Sequence, residues 1–120
     1  MKLLAWISLL SHLFSVSQVQ TVPDIKNQVM EWQSSEAISL IAHDYLAGSY
    51  FYSLDLGDTI TLLYNGGVSE RWVVIDIYIM DNQTQWADTY FKYHHPNNLV
   101  LQTCYNLDGN LLIIAQKELR

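Results

Sequence analysis

The sequence predicts an all-β fold, a small barrel or sandwich with one or two short helical turns. Short apolar and β-branched runs recur along the chain and are separated by turn residues. No amphipathic pattern is long enough for the helices of a bundle. The chain has 120 residues, of which 50% are apolar and 15% charged, so it is one folded domain rather than a disordered chain.

The N-terminal stretch Met1–Ser17 predicts a targeting signal that is separate from the fold. A lysine precedes the apolar run Leu3–Phe14, and small residues at Ser15 and Ser17 resemble a cleavage site. The run is shorter than the ~20 residues that span a bilayer as a helix. We therefore expect cleavage and export, with residues 18–120 as the mature domain. The alternative is an uncleaved anchor that tethers the chain to the membrane at the cell surface.

The mature domain is predicted to contain about six strands. Pro23 suits the end of an edge strand. Asn65-Gly66-Gly67 predicts a hairpin, because these residues tolerate the positive φ of tight turns. Asn27–Trp32 predicts one or two helical turns, and Asp81–Asn97 a long polar loop. The strand candidates are Gln18–Ile25, Ala37–Ala42, Thr59–Tyr64, Arg71–Met80, Asn98–Thr103 and Leu111–Gln116.

Composition excludes several classes of function. Acidic residues number 12 and basic residues 6, which gives a formal net charge of −6 and disfavours binding to nucleic acid. A single cysteine excludes an internal disulfide framework and a zinc site built on several thiolates. We expect a monomer.

Cys104 and His43 are the candidate catalytic residues. Each closes an apolar strand, and they are 61 residues apart in the sequence. If the two strands are parallel neighbours, both side chains emerge at one edge of the sheet. A thiol beside an imidazole can lose its proton and act as a nucleophile.

Two segments resemble the sortase family. In the first, a strand ends in His43, and an aromatic-rich stretch leads to Gly57-Asp58 and then to a strand. In the second, Leu101 to Cys104 looks like the sortase motif Leu-x-Thr-Cys. The strand Leu111–Gln116 is similar to the family's last strand, and the order of these pieces is the same. The resemblance covers roughly Val22 to Lys117.

The resemblance implies a closed eight-stranded barrel and cysteine transpeptidation at the cell surface. Cys104 would attack a peptide bond of a sorting signal and form a thioester, which an amine or water would then resolve. His43 would act as the acid and base. Sortases carry an arginine near the position of Asn110, where an amide can still donate to an oxyanion. Thr103, Tyr105 and Lys92 are the candidate substrate-binding residues.

Two alternatives stay open from the sequence. Asn110 in place of arginine is compatible with a catalytically weak or inactive sortase-like module that binds peptides. The second alternative is a secreted metal-binding β domain that uses His43, His94 and His95. Adjacent residues on a strand point to opposite faces, so the histidine pair could bind one ion only from a loop.

Overall fold

The structure, a computed structural model, describes residues 11–32, 37–80, 96–106 and 109–118. These residues form a closed barrel of seven strands in the order β1-β2-β3-β6-β7-β5-β4. In chain order the elements are β1 (Ser11–Ser17), β2 (Gln28–Glu31), β3 (Ile38–Ile41), α1 (Gly48–Phe51), β4 (Thr59–Leu63), β5 (Ser69–Met80), β6 (Asn98–Tyr105) and β7 (Gly109–Lys117). The predicted all-β closed barrel is confirmed, with seven of the eight strands that the resemblance implies found among the described residues.

Alternating side chains fill the barrel. Leu40 of β3, Ile60 of β4, Leu99 of β6 and Ile113 of β7 are fully buried and belong to one interior cluster. Burying a side chain of this size contributes about 1.5–3 kcal/mol relative to leaving it exposed. A second, smaller cluster covers the outer face of β6 and β7 and comprises Ala37, Val100, Leu112, Ile114 and the partly buried Tyr78.

The imperfect alternation of β5 has a local cause. The pairing of β5 with β7 shifts register between Val74 and Asp76, which marks a β-bulge. Before the bulge, Trp72 and Val74 belong to the interior cluster, and after it Ile77 packs there. The extra residue moves the inward positions by one, because a strand alternates faces with a period of two.

The segment Asn27–Trp32 is a strand and not the predicted helical turn. Residues 28–31 pair with β1 in parallel and with β3 in antiparallel orientation. Val29 is fully buried in the interior. The run is too short for local helix propensity to outweigh these two ladders. The short helix occurs instead at α1, inside the aromatic-rich stretch.

The first strand lies within the segment that the sequence predicts to be a leader. β1 pairs in parallel with β2 and β4, and Phe14 and Val16 are buried in the interior. A boundary after Ser17 therefore cuts through the barrel, and cleavage there would remove β1. The apolar run of a leader and the inward face of a short strand have similar composition, which explains the difference. Export itself stays a prediction, and within the described ranges no helix is long and apolar enough to cross a membrane.

Two neighbouring substitutions in β1 test its place in the fold. Phe14 is 1% exposed and packs edge-on against Phe51, with ring centroids 5.4 Å apart, whereas Leu13 is 52% exposed. We expect Phe14→Ala to lower the free energy of unfolding by about 3–5 kcal/mol, because it leaves a cavity in the core. Leu13→Ala serves as the control and should change it by less than about 1 kcal/mol. Chemical denaturation measures both, and equal effects would place β1 outside the barrel.

Candidate active site

The site is built on the parallel pairing of β3 with β6. Ile38 lies opposite Leu99 and Ile41 opposite Gln102, so each pair is offset by 61 residues in the sequence. The same offset separates His43 from Cys104. The last pair is closed by the Ala42 N–H, which donates to the Gln102 carbonyl at 3.2 Å. Counted two residues beyond that pair, the same offset relates His43 to Cys104.

The thiol and the imidazole are both reachable from solvent. Cys104 is a free, exposed cysteine on β6, one residue before the strand ends. His43 is partly exposed, and its ring stacks on Tyr45 with centroids 5.0 Å apart and planes 16° apart. The backbone places β3 and β6 as parallel neighbours, as the sequence-based hypothesis requires.

Thr103 fixes the segment that carries His43. Its side chain is 2% exposed, and its hydroxyl donates to the Ala42 carbonyl at 2.7 Å. The Thr103 side chain is thus engaged inside the barrel, and a contact of Thr103 with substrate stays a prediction. The hydrogen bond of this threonine, the third residue of the Leu-x-Thr-Cys run, joins the end of β6 to the residue before His43.

Asn110 lies directly opposite Cys104 in the antiparallel pairing of β6 with β7. Opposite residues of such a pair point to the same face of the sheet. The Gln102 Nε2 donates to the Asn110 Oδ1 at 3.3 Å, and this bond orients the Asn110 amide. The Asn110 Nδ2 then remains as the donor end of that amide. The Gln102 Oε1 is buried and has no hydrogen-bond partner among the residues that the structure describes.

Arg71 does not reach the site. It lies near the start of β5, opposite Thr61, and its Nε is 2.9 Å from a Glu118 carboxylate oxygen. Met80, at the other end of β5, is the residue that pairs with Asn110. Arg71 and Met80 are nine positions apart along the strand, which is roughly 30 Å at about 3.3 Å per residue. The amide of Asn110 therefore stands at the site without this arginine.

An aromatic pair borders Cys104. Tyr105 stacks on Tyr52, with ring centroids 6.2 Å apart and planes 24° apart. The Tyr52 hydroxyl donates to the Cys104 carbonyl. The run Tyr50 to Tyr52 belongs to the aromatic-rich stretch that follows His43 in the sequence. Helical geometry separates its members, because Phe51 is buried in the interior while Tyr52 is 47% exposed.

The remaining predicted site residues lie outside the described residues. They are Lys92, His94 and His95, and their roles stay predictions. Among the residues that the structure describes, no group of three or more His, Cys, Asp or Glu side chains could hold a metal ion.

Gly48 tests how tightly the His43 segment packs on β6. A Cβ at this position would lie 2.6 Å from the His43 carbonyl oxygen and 2.8 Å from the Thr103 Cβ. We expect Gly48→Ala to cost about 1–3 kcal/mol of stability through overpacking. Combining it with Thr103→Ala should cost less than the sum of the two changes, since the smaller side chain makes room for the new methyl group. Thermal or chemical unfolding measures both, and strict additivity would contradict this packing.

The comparisons with known proteins agree with the barrel topology. No family model matches the chain, and no curated protein matches it. Sortase C1 of Streptococcus agalactiae superposes with a TM-score of 0.62 at 16% identity, covering 90% of this chain and 60% of that one. Sortase A of Listeria monocytogenes gives 0.58 at 10% identity, with coverages of 89% and 77%.

A third solved structure is Clostridium perfringens sortase C with the C-terminal cell wall sorting motif. It gives a TM-score of 0.55 at 18% identity and covers 78% of this chain and 56% of its own. The chain thus spans about 60% of the length of the first sortase C1 structure. Identities of this size speak to fold, and the barrel of this chain is a sortase-like fold.

Proposed function

We propose that the chain is a sortase-like cysteine transpeptidase or hydrolase that acts on a peptide sorting signal. The observation that carries the proposal is the shared offset of the β3–β6 register and the His43–Cys104 pair. Further support comes from the exposed thiol and from the fold it shares with sortases, one of them solved with a sorting motif. The acceptor of the cleaved peptide is an amine or water.

The reaction proceeds through two half-reactions at the thiol. The Cys104 thiolate attacks the scissile carbonyl carbon, and the C–S bond forms as the negative charge moves to the oxygen. When that intermediate collapses, the C–N bond breaks and His43 gives a proton to the leaving amine. The incoming amine or water then attacks the thioester carbon, and His43 takes its proton. The C–S bond breaks, which returns the Cys104 thiolate beside the protonated imidazole.

Asn110 is the residue proposed to stabilise the oxyanion. It lies across from Cys104, and its amide is oriented by Gln102. A neutral amide donates a hydrogen bond to the developing charge but adds no positive field at the thiol. We therefore infer that the thiolate depends on His43 for its charge partner. Tyr105, partly exposed beside Cys104, is proposed to contact the bound peptide, and Lys92 remains a proposed substrate contact.

The second candidate function is a peptide-binding module that turns over weakly or not at all. The observation that favours it is Asn110 at the family's arginine position, together with the remote location of Arg71. In both functions the chain would act outside the cytoplasm, as the predicted export signal implies. The two differ in whether a thioester forms.

Thiol reactivity across pH tests the proposed pair. We expect His43→Ala to slow alkylation of Cys104 by iodoacetamide near neutral pH by about tenfold or more, since the thiolate loses its charge partner. The measurement is the second-order rate constant as a function of pH. His12→Ala is the matched control, because its imidazole is 3.9 Å from Asp58 and distant in register from Cys104. Equal rates in the His43 variant and the unmodified chain would refute the pair.

Substitution of Asn110 separates the two candidate functions. If Asn110 supports catalysis, Asn110→Ala lowers kcat for cleavage of a sorting peptide by about 10²-fold, the usual loss on removing an oxyanion donor. Asn110→Arg should retain or raise the rate. Mass spectrometry of the trapped thioester provides a second readout. No thioester in the native chain, with one appearing in the Asn110→Arg variant, would favour the binding module.

A further inference from the structure

Tyr52 links the His43 segment to the residue that carries the thiol. It follows α1 directly, and α1 begins five residues after His43. Its hydroxyl donates to the backbone carbonyl of Cys104. This is a contact between residues 52 positions apart in the sequence, so it fastens the nucleophile's own backbone to the segment that holds the imidazole.

The ring of Tyr52 makes a second contact with the same strand end. It stacks on Tyr105, the residue after Cys104, with centroids 6.2 Å apart. Stacked aromatic pairs contribute about 0.5–1.5 kcal/mol beyond the area they bury. The hydroxyl and the ring of Tyr52 thus contact two successive residues at the end of β6. Both residues lie beyond the last residue of β6 that pairs with β3.

The Tyr52 hydroxyl keeps the proton that it donates. Burial raises the pKa of Tyr52, and the neighbouring Asp44, Cys104 and Tyr105 raise that pKa further. Tyrosine ordinarily titrates near pH 10, so the hydroxyl keeps its proton at neutral pH and above. The hydrogen bond to the Cys104 carbonyl is therefore present throughout the range in which a thiol and an imidazole exchange a proton.

The backbone at the start of this segment, at Ala42 and His43, is also held by hydrogen bonds. The His43 carbonyl accepts from the Leu46 N–H at 3.1 Å and from the Gly48 N–H at 2.9 Å. The preceding carbonyl, that of Ala42, accepts from Thr103. The segment from His43 to Tyr52 is therefore attached to β6 at both of its ends.

We propose that Tyr52 is a positioning residue for the Cys104–His43 pair, acting through the Cys104 carbonyl and the Tyr105 ring. The inference rests on the proposed function and adds to its Cys104–His43 pair a residue that positions it. The pairing with β7 holds Cys104 in the sheet, and the Tyr52 hydroxyl adds the contact that ties this residue to the His43 segment. Removing the hydroxyl removes that contact, so the relation of the thiol to the imidazole is less fixed. The loss should be visible only while His43 is present.

A double-mutant cycle tests this role in the full chain. The four proteins are the native chain, Tyr52→Phe, His43→Ala and the double variant, and the readout is the rate constant for alkylation of Cys104 by iodoacetamide against pH. Phenylalanine keeps the ring on Tyr105, so the fold is retained and only the hydroxyl is lost. We expect Tyr52→Phe to slow alkylation near neutral pH by about 3- to 10-fold, the size of one hydrogen bond.

The matched control is Tyr50→Phe, the same chemical change two residues earlier on α1. Tyr50 packs its ring against Phe14, with centroids 6.3 Å apart, whereas the hydroxyl that bonds to the Cys104 carbonyl is that of Tyr52. We expect it to change the alkylation rate by less than about twofold. Equal slowing by Tyr50→Phe and Tyr52→Phe would overturn the proposal, because it would indicate a general effect of α1.

The cycle separates this inference from the proposed function. Slowing by Tyr52→Phe that disappears in the His43→Ala background supports positioning. Slowing of equal size in both backgrounds, or none in either, overturns the role of Tyr52 and leaves the catalytic pair standing. An alkylation rate that does not respond to His43→Ala overturns the proposed function itself, and with it the inference.

Discussion

The parallel ladder between β3 and β6 is the constraint on which the site depends. One offset holds for every pair in the ladder, and it equals the separation of His43 and Cys104. A strand alternates faces with a period of two, so a slip of one residue would send the thiol and the imidazole to opposite faces. The buried hydrogen bond from Thr103 to the Ala42 carbonyl secures the register at the end where the site lies.

The ten residues from His43 to Tyr52 contain the candidate imidazole and several of the residues that hold it in place. Gly48 admits the close approach of this segment to Thr103, where any larger residue would meet the threonine side chain and the His43 carbonyl. The aromatic ring of Phe51 anchors the same segment in the core. Packing of Phe51, the hydrogen bonds of this segment and the absence of a Cβ at Gly48 thus together hold the segment against β6.

The charge distribution gives the site its chemical character. The chain is acidic, and Arg71 is engaged with Glu118 near the far end of β5. Across from Cys104 stands a neutral amide, oriented by Gln102. A neutral donor can stabilise an oxyanion but does little to ionise a thiol, so the chemistry we propose places more weight on the imidazole and on whatever holds it in place.

Much of the fold follows from local pattern. The runs around Thr59–Leu63, Ser69–Met80 and Gly109–Lys117 are β-branched and bounded by turn residues, and they are strands in the structure. The ends of two such runs also pointed to His43 and Cys104 as partners. These features are readable because side-chain periodicity and turn chemistry are properties of neighbouring residues.

Local pattern does not predict which strands pair with each other, because strand pairing joins residues that are far apart in the chain. Ser11–Ser17 and Gln28–Glu31 are strands only because β1 lies between β2 and β4 and because β2 lies against β3. The inward turn of Thr103 and the contact of Tyr52 with Cys104 likewise require the closed barrel. Composition and period thus indicated most of the strands and the candidate residues His43 and Cys104, while the barrel decided which strands meet and which side chains contact the end of β6, since those contacts are non-local.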